Sequence, residues 1–82
     1  WEINEAFASV PLAACRVLDI DEDKVNIFGS GCSLGHPVAA SGARMITTLT
    51  HELRRRAGGI GVAAMSAGGG QGGAPVLEAP AT

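Results

Sequence analysis

Two stretches of this chain carry apolar residues at helical spacing, and a third carries them without interruption. In the first, "WEINEAFASVPLAACRVLDI", a short extended piece gives way to Phe7, Val10, Ala14 and Val17, which form one apolar stripe. Pro11 falls inside this pattern, so a kink or a separate first turn is expected there. The polar "DEDK", Asp21 to Lys24, reads as a loop, and the short apolar "VNIF", Val25 to Phe28, leads into the glycine-punctuated "GSGCSLGHP". Pro37 suits the first turn of a second helix, where its missing N–H costs nothing. In that helix Ala39, Ala43, Ile46, Thr50 and Leu53 make a stripe, and "AASGA" carries so little bulk that it reads as buried against a closely approaching backbone. Glu52 and Arg56 are spaced as an ion pair, and Gly58-Gly59 supply the stop.

"IGVAAMS" then reads as a fully buried strand, the glycines of "GGGQGG" as a loop, and "APVLEA" as a returning strand. The predicted order is extended piece, helix, loop, helix, strand, strand: an α/β segment. So few elements cannot cover both faces of a sheet, and the remainder needs a partner layer. With a first residue that is Trp1 rather than methionine, the chain is expected to be part of something larger.

Composition narrows the function. The chain has 82 residues, of which 46% are hydrophobic, but only three aromatics, Trp1, Phe7 and Phe28. A formal charge of −2 argues against a nucleic-acid partner. The one basic cluster, Arg54-Arg55-Arg56, reads as a solvated helix end or as a contact for a phosphate. No apolar run approaches the ~18 residues of a membrane span, and no leader is visible. Two cysteines, Cys15 and Cys32, are too few for a disulfide framework or a zinc site, so no metal is expected and a reducing cytoplasm is the easier setting.

Several residues are candidates for chemistry. His36 stands at a loop-to-helix junction, where free N–H groups welcome anions; it reads as a catalytic histidine or as a structural cap. His51, on the polar side of its helix, reads as surface. Pairing Cys32 with His36 would need a shared helical face, which "GSGCSLG" does not offer, so Cys32 reads as a small buried hydrophobe and Cys15 as core filler. "GGGQGG" lacks the Lys-Ser/Thr of a P-loop, but its glycines can present bare N–H groups to an oxyanion. Asn4 reads as a helix cap or as a site amide.

Three segments, "NEAFA" (Asn4–Ala8), "GSGCSLGHPVAASGAR" (Gly29–Arg44) and "SAGGGQGGA" (Ser66–Ala74), together resemble the C-terminal part of thiolases. Their order and spacing match as well, and residues 1–79 are covered, with residues 80–82 left as a tail. The likeness is to acetyl-CoA acetyltransferases and 3-ketoacyl-CoA thiolases. It implies part of the C-terminal half of a layered α/β/α/β/α fold, a mixed sheet with a buried helix, and assembly as a homodimer or homotetramer. It also implies acyl exchange between CoA thiols, with acyl-CoA and CoA as substrates and no separate cofactor. The nucleophilic cysteine belongs to the N-terminal half and has no match in this sequence, so the segment alone is expected to be inactive.

Residue by residue, the resemblance implies that His36 activates that cysteine and donates to the thioester oxygen, with Asn4 fixing a water in the same oxyanion hole. Ala6 and Phe7 would line the pocket near the CoA arm, and the Gly68 N–H would serve a second oxyanion hole. Ser66 departs from the pattern: it stands where the family has the cysteine that moves protons to and from substrate. A free thiol titrates near ~8.5, and a serine hydroxyl is a far weaker acid. Phe28 where many members have asparagine, Ala39 for glycine and Cys32 for an aliphatic residue are milder departures. Two alternatives follow from Ser66: a relative that keeps CoA binding without the chemistry, and a purely structural subunit.

Overall fold

The structure is a computed structural model and describes residues 1–81; of the expected tail, Thr82 lies outside the described residues. In chain order the elements are β1 (Glu2–Ile3), α1 (Ser9–Leu18), α2 (Gly31–Leu34), α3 (Ser41–Arg55), β2 (Gly59–Ala67), β3 (Gln71–Gly73) and β4 (Val76–Ala79). β2 is the central strand. β1 runs parallel to it, with Glu2 opposite Ala63 and Ile3 opposite Ala64. β3 and β4 run antiparallel along its other edge, so the sheet is mixed.

The pairs Met65↔Gly73 to Ala67↔Gln71 and Gly59↔Ala79 to Val62↔Val76 belong to one register, so β2, β3 and β4 are a single long hairpin. It is interrupted only at Ala74–Pro75. Pro75 has no N–H to return, although its carbonyl still accepts from Ala63 N at 3.1 Å. The glycine tract is therefore shared between turn and strand. Gly68–Gly70 turn the corner, with Gly69 and Gly70 both at φ +74, a conformation that favours glycine. Gln71, Gly72 and Gly73 pair with Ala67, Ser66 and Met65, which corrects the reading of all six residues as loop.

α3 packs on the sheet through Met45, Leu49 and Leu53 against Ala63, with Met65, Leu77 and Ala79 half-buried beside them. The inward face is thus Ser41-Met45-Leu49-Leu53; of the predicted row Leu53 lies on it, while Ala39, Ala43, Ile46 and Thr50 are exposed. Bulk decides this, since the larger side chains of the neighbouring row fill the space over β2. At Gly61 a Cβ would lie 2.6–2.8 Å from the Leu49 side chain, so Leu49 seats itself where the strand has none. The helix also starts later than Pro37 suggests: Pro37–Ala40 form a turn in which the Pro37 carbonyl accepts from Ala40 N and Ser41 N at 2.7 and 2.9 Å.

The helix stop falls one residue before the predicted glycines. Ala57 takes the left-handed position at φ 62, while Gly58 N donates to Leu53 O at 2.8 Å and Ala57 N to Arg54 O at 3.0 Å. Both bonds satisfy carbonyls the helix leaves open. In α1, Pro11 sits in the first turn, where its lost N–H breaks no helical bond. The predicted α1 stripe is not a packed face among the described residues. Phe7 precedes the helix and is 75% exposed, Val17 is 82% exposed, and Cys15 is the buried residue. Exposed Phe7, Leu12, Val17, Ile60 and Val76 agree with the expectation of an uncovered layer.

Candidate active site

The carboxyl ends of β1 and β2 lie side by side, which in open α/β sheets is where ligands bind. Asn4 follows directly on β1 and donates its backbone N–H to Ala64 O at 2.9 Å. Two residues further along β2 comes Ser66. The start of α3 reaches the same end: a Cβ on Gly42 would lie 3.5 Å from the Met65 sulfur, in ordinary contact.

His36 is tied to that helix start. Its Nδ1 lies 2.6 Å from Ser41 Oγ, and Ser41, the first residue of α3, is 2% exposed. The ring is on the surface, and its Nε2 has no hydrogen-bond partner among the described residues. Gly35, at φ +96, makes the turn that delivers it.

Asn4 is 4% exposed, and no buried side-chain N or O atom lacks a partner among the described residues. The capping alternative fails: Ala8 occupies the N-cap of α1, without a side-chain bond. Ser66 is exposed, opposite Gly72, in a cleft of about 380 Å³ that Ile3, Val10, Ala14 and Ala64 also line. Strand alternation turns it away from α3, toward α1. Gly68, at the tip of the hairpin, is open: a Cβ placed there would meet no atom within 4 Å.

The fold thus brings Asn4, Ser66 and the Ser41-bound His36 to one end of the parallel pair, with Gly68 just beyond. No hydrogen bond joins Asn4, His36 and Ser66 to one another among the described residues. Ser66 approaches from the α1 layer and His36 from the α3 layer. Ala6 and Phe7 lie exposed in the bend before α1, and neither lines the Ser66 cleft. Cys32 is exposed rather than a buried hydrophobe, and "GSGCSLG" does contain one helical turn, α2. No group of three His, Cys, Asp or Glu suited to a metal ion occurs among the described residues.

Four supporting residues escape a reading by motif. Asn26 satisfies both backbone groups of Ile3, at 2.8 Å each, and so closes the outer edge of β1. Glu5 accepts from Asn26 Nδ2 at 3.2 Å and from Cys32 N at 3.1 Å, tying the Asn4 segment to the turn that leads to His36. Arg44 donates to Glu2 Oε1 and to the fully buried Ser30 Oγ, each at 3.0 Å, and so joins β1, α2 and α3. Burial raises the Glu2 carboxyl above its ordinary range, and the Arg44 guanidinium works against that rise. The fourth is Ser41, whose small size in the sequence points to packing, not to hydrogen bonding.

Residues 1–79 match the family model described as "Thiolase, C-terminal domain", and the chain belongs to that family. It is similar to the cytosolic acetyl-CoA acetyltransferase of Mus musculus, with 51% identity over 72 residues, 88% of this chain and 18% of the relative. The crystal structure of the Bacillus anthracis acetyl-CoA acetyltransferase superposes with a TM-score of 0.88 at 51% identity, over 94% of this chain and 20% of that one. Human mitochondrial 3-ketoacyl-CoA thiolase, solved in complex with CoA, gives 0.91 at 48% identity, over 98% and 20%. The chain spans about a fifth of the length of the relatives it matches.

Proposed function

We propose that this segment supplies the C-terminal part of a thiolase that exchanges acyl groups between CoA thiols, acting with a cysteine nucleophile carried elsewhere in the same protein. The observation that carries the reading is the convergence of His36, Asn4 and Ser66 on the carboxyl end of the β1/β2 pair, in a chain of this family. His36 Nε2 takes the thiol proton of the nucleophile and returns hydrogen bonding to the thioester oxygen. The Asn4 carboxamide holds a water beside it, and the Gly68 N–H faces a second oxyanion. Ala6 and Phe7, exposed before α1, line the approach of the CoA arm. A 3-ketoacyl-CoA and CoA become an acyl-CoA and acetyl-CoA, reversibly. The segment by itself is inactive, and the whole protein assembles as a homodimer or homotetramer.

Ser66 supports a second reading. Without a thiol at the proton-transfer position, the protein would bind CoA esters and perform the exchange slowly or not at all. Relatives carry cytosolic, mitochondrial and peroxisomal names; we place this protein in the cytoplasm. Thiolysis of acetoacetyl-CoA by the full-length protein carrying the segment tests the first reading. CoA-dependent cleavage that His36→Ala abolishes supports it. Calorimetric CoA binding without cleavage supports the second reading, and absence of both overturns the two together.

A further inference from the structure

We infer that Ser41 is a positioning residue for His36, holding the proton on Nδ1 so that Nε2 carries the lone pair. The inference rests on the proposed role of His36 as a base. Nδ1 lies 2.6 Å from Ser41 Oγ, while Nε2 has no partner among the described residues and is the nitrogen open to a reacting group. A neutral imidazole carries one N–H, and the hydrogen bond at one nitrogen selects which of the two that is.

A serine hydroxyl has one proton and two lone pairs, so it can either accept from Nδ1–H or donate to bare Nδ1. Only the first arrangement leaves Nε2 basic. It requires another acceptor for the hydroxyl proton, and the Pro37 carbonyl stands 3.4 Å from Ser41 Oγ. That distance is long because Pro37 O already accepts from the Ala40 and Ser41 amides, and its task is only to draw the hydroxyl proton away from the ring. The same arrangement also serves the protonated ring, in which both nitrogens donate. Proton uptake at Nε2 therefore requires no movement of ring or hydroxyl. At 2% exposure Ser41 has little access to water, so the ring has no competitor for the hydroxyl lone pair.

The full-length protein carrying this segment provides the test. With ¹⁵N-labelled histidine, and His36→Gln to assign the signal, the neutral His36 ring is expected to show a protonated Nδ1 and a bare Nε2. Ser41→Ala should lose that preference and lower kcat roughly tenfold, the scale of one neutral hydrogen bond, with KM little changed. Ser41→Thr keeps the hydroxyl and should restore both. A wild-type ring protonated at Nε2 overturns the inference even if the protein is active, as does a Ser41→Ala protein with unchanged tautomer and kcat. Should Ser41→Ala fail to fold, the wild-type tautomer and the Ser41→Thr kinetics still decide. A protein without thiolase activity whose ring holds its proton on Nδ1 only while Ser41 is present would overturn the functional reading and support the placement by Ser41.

Discussion

Asn26 meets Ile3 as a neighbouring strand would. Its Oδ1 accepts from Ile3 N and its Nδ2 donates to Ile3 O, both at 2.8 Å. One side chain thereby satisfies two backbone groups on the outer edge of β1, the strand that carries Asn4 to the site. Asn26 itself sits at φ 51, a conformation that asparagine and aspartate tolerate.

Asn26→Asp keeps shape and backbone but removes the donor to Ile3 O and sets a carboxylate against Glu5. It should destabilise the protein by about 1–3 kcal/mol, the range for a buried group left unpaired. The midpoint of urea unfolding measures this, and an unchanged midpoint would contradict the edge-closing role.

Three glycines predict different outcomes on substitution by alanine. At Gly31 a Cβ would stand 2.5 Å from the Glu5 carbonyl oxygen, a backbone atom with little room to yield. Gly31→Ala should cost about 1–3 kcal/mol and reduce activity by displacing the turn before His36. Gly61→Ala meets Leu49 at 2.6 Å and should destabilise on the same scale without shifting that turn. Gly42→Ala meets only the Met65 sulfur at 3.5 Å inside a helix, and should stabilise by about 0.5–1 kcal/mol. Unfolding curves of the three variants check the order.

Two glutamates give opposite pH signatures. Bonds from Arg55 and Arg56 hold the Glu52 carboxyl down to about 2, against an ordinary value of about 4.5. Its stabilisation is present above 4.5 and lost as pH falls toward 2. Both arginine side chains are more than half exposed, so salt should weaken the effect. Glu2 is shifted upward, chiefly by burial, so its contribution is greatest below the ordinary value and is lost as pH rises through the raised one. Glu52→Gln should flatten the acid limb of a melting-temperature profile. Glu2→Gln should instead change the profile above pH 4.5. Identical profiles for both variants would contradict the assignments.

Ala57 closes α3 in a left-handed conformation at φ 62, where an L side chain is strained by roughly 1–2 kcal/mol. Ala57→Gly should therefore raise the melting temperature, in contrast to glycine substitutions in helix interiors. A lower melting temperature would show that the Ala57 methyl group contributes packing of its own.

Much of this was legible from residue pattern. The helix-to-strand order, the returning strand and the Glu52–Arg56 pair all follow from local spacing and charge. What local spacing misses depends on a partner elsewhere in the chain. The inward face of α3 is decided by Leu49 fitting over Gly61, twelve residues away. The role of Asn26 depends on Ile3, and that of Ser41 on His36. The exposed α1 stripe has the opposite cause: the pattern is real, but Phe7 and Val17 stay exposed among the described residues. All of "GGGQGG" reads as loop although half of it is strand, because pairing by Gly72 and Gly73 leaves no side-chain signature.

Ser66 is the residue on which the account turns. It stands on β2 opposite Gly72, in the cleft at the strand ends, with a hydroxyl where the family resemblance calls for a thiol. A general acid or base contributes roughly 10²–10⁴-fold. The most direct measurement is the kcat of acetoacetyl-CoA thiolysis for the full-length protein and its Ser66→Cys variant at one pH. A gain of about that size in the cysteine variant is predicted. A fast parent enzyme that gains nothing from the thiol would contradict the assignment of Ser66 to proton transfer.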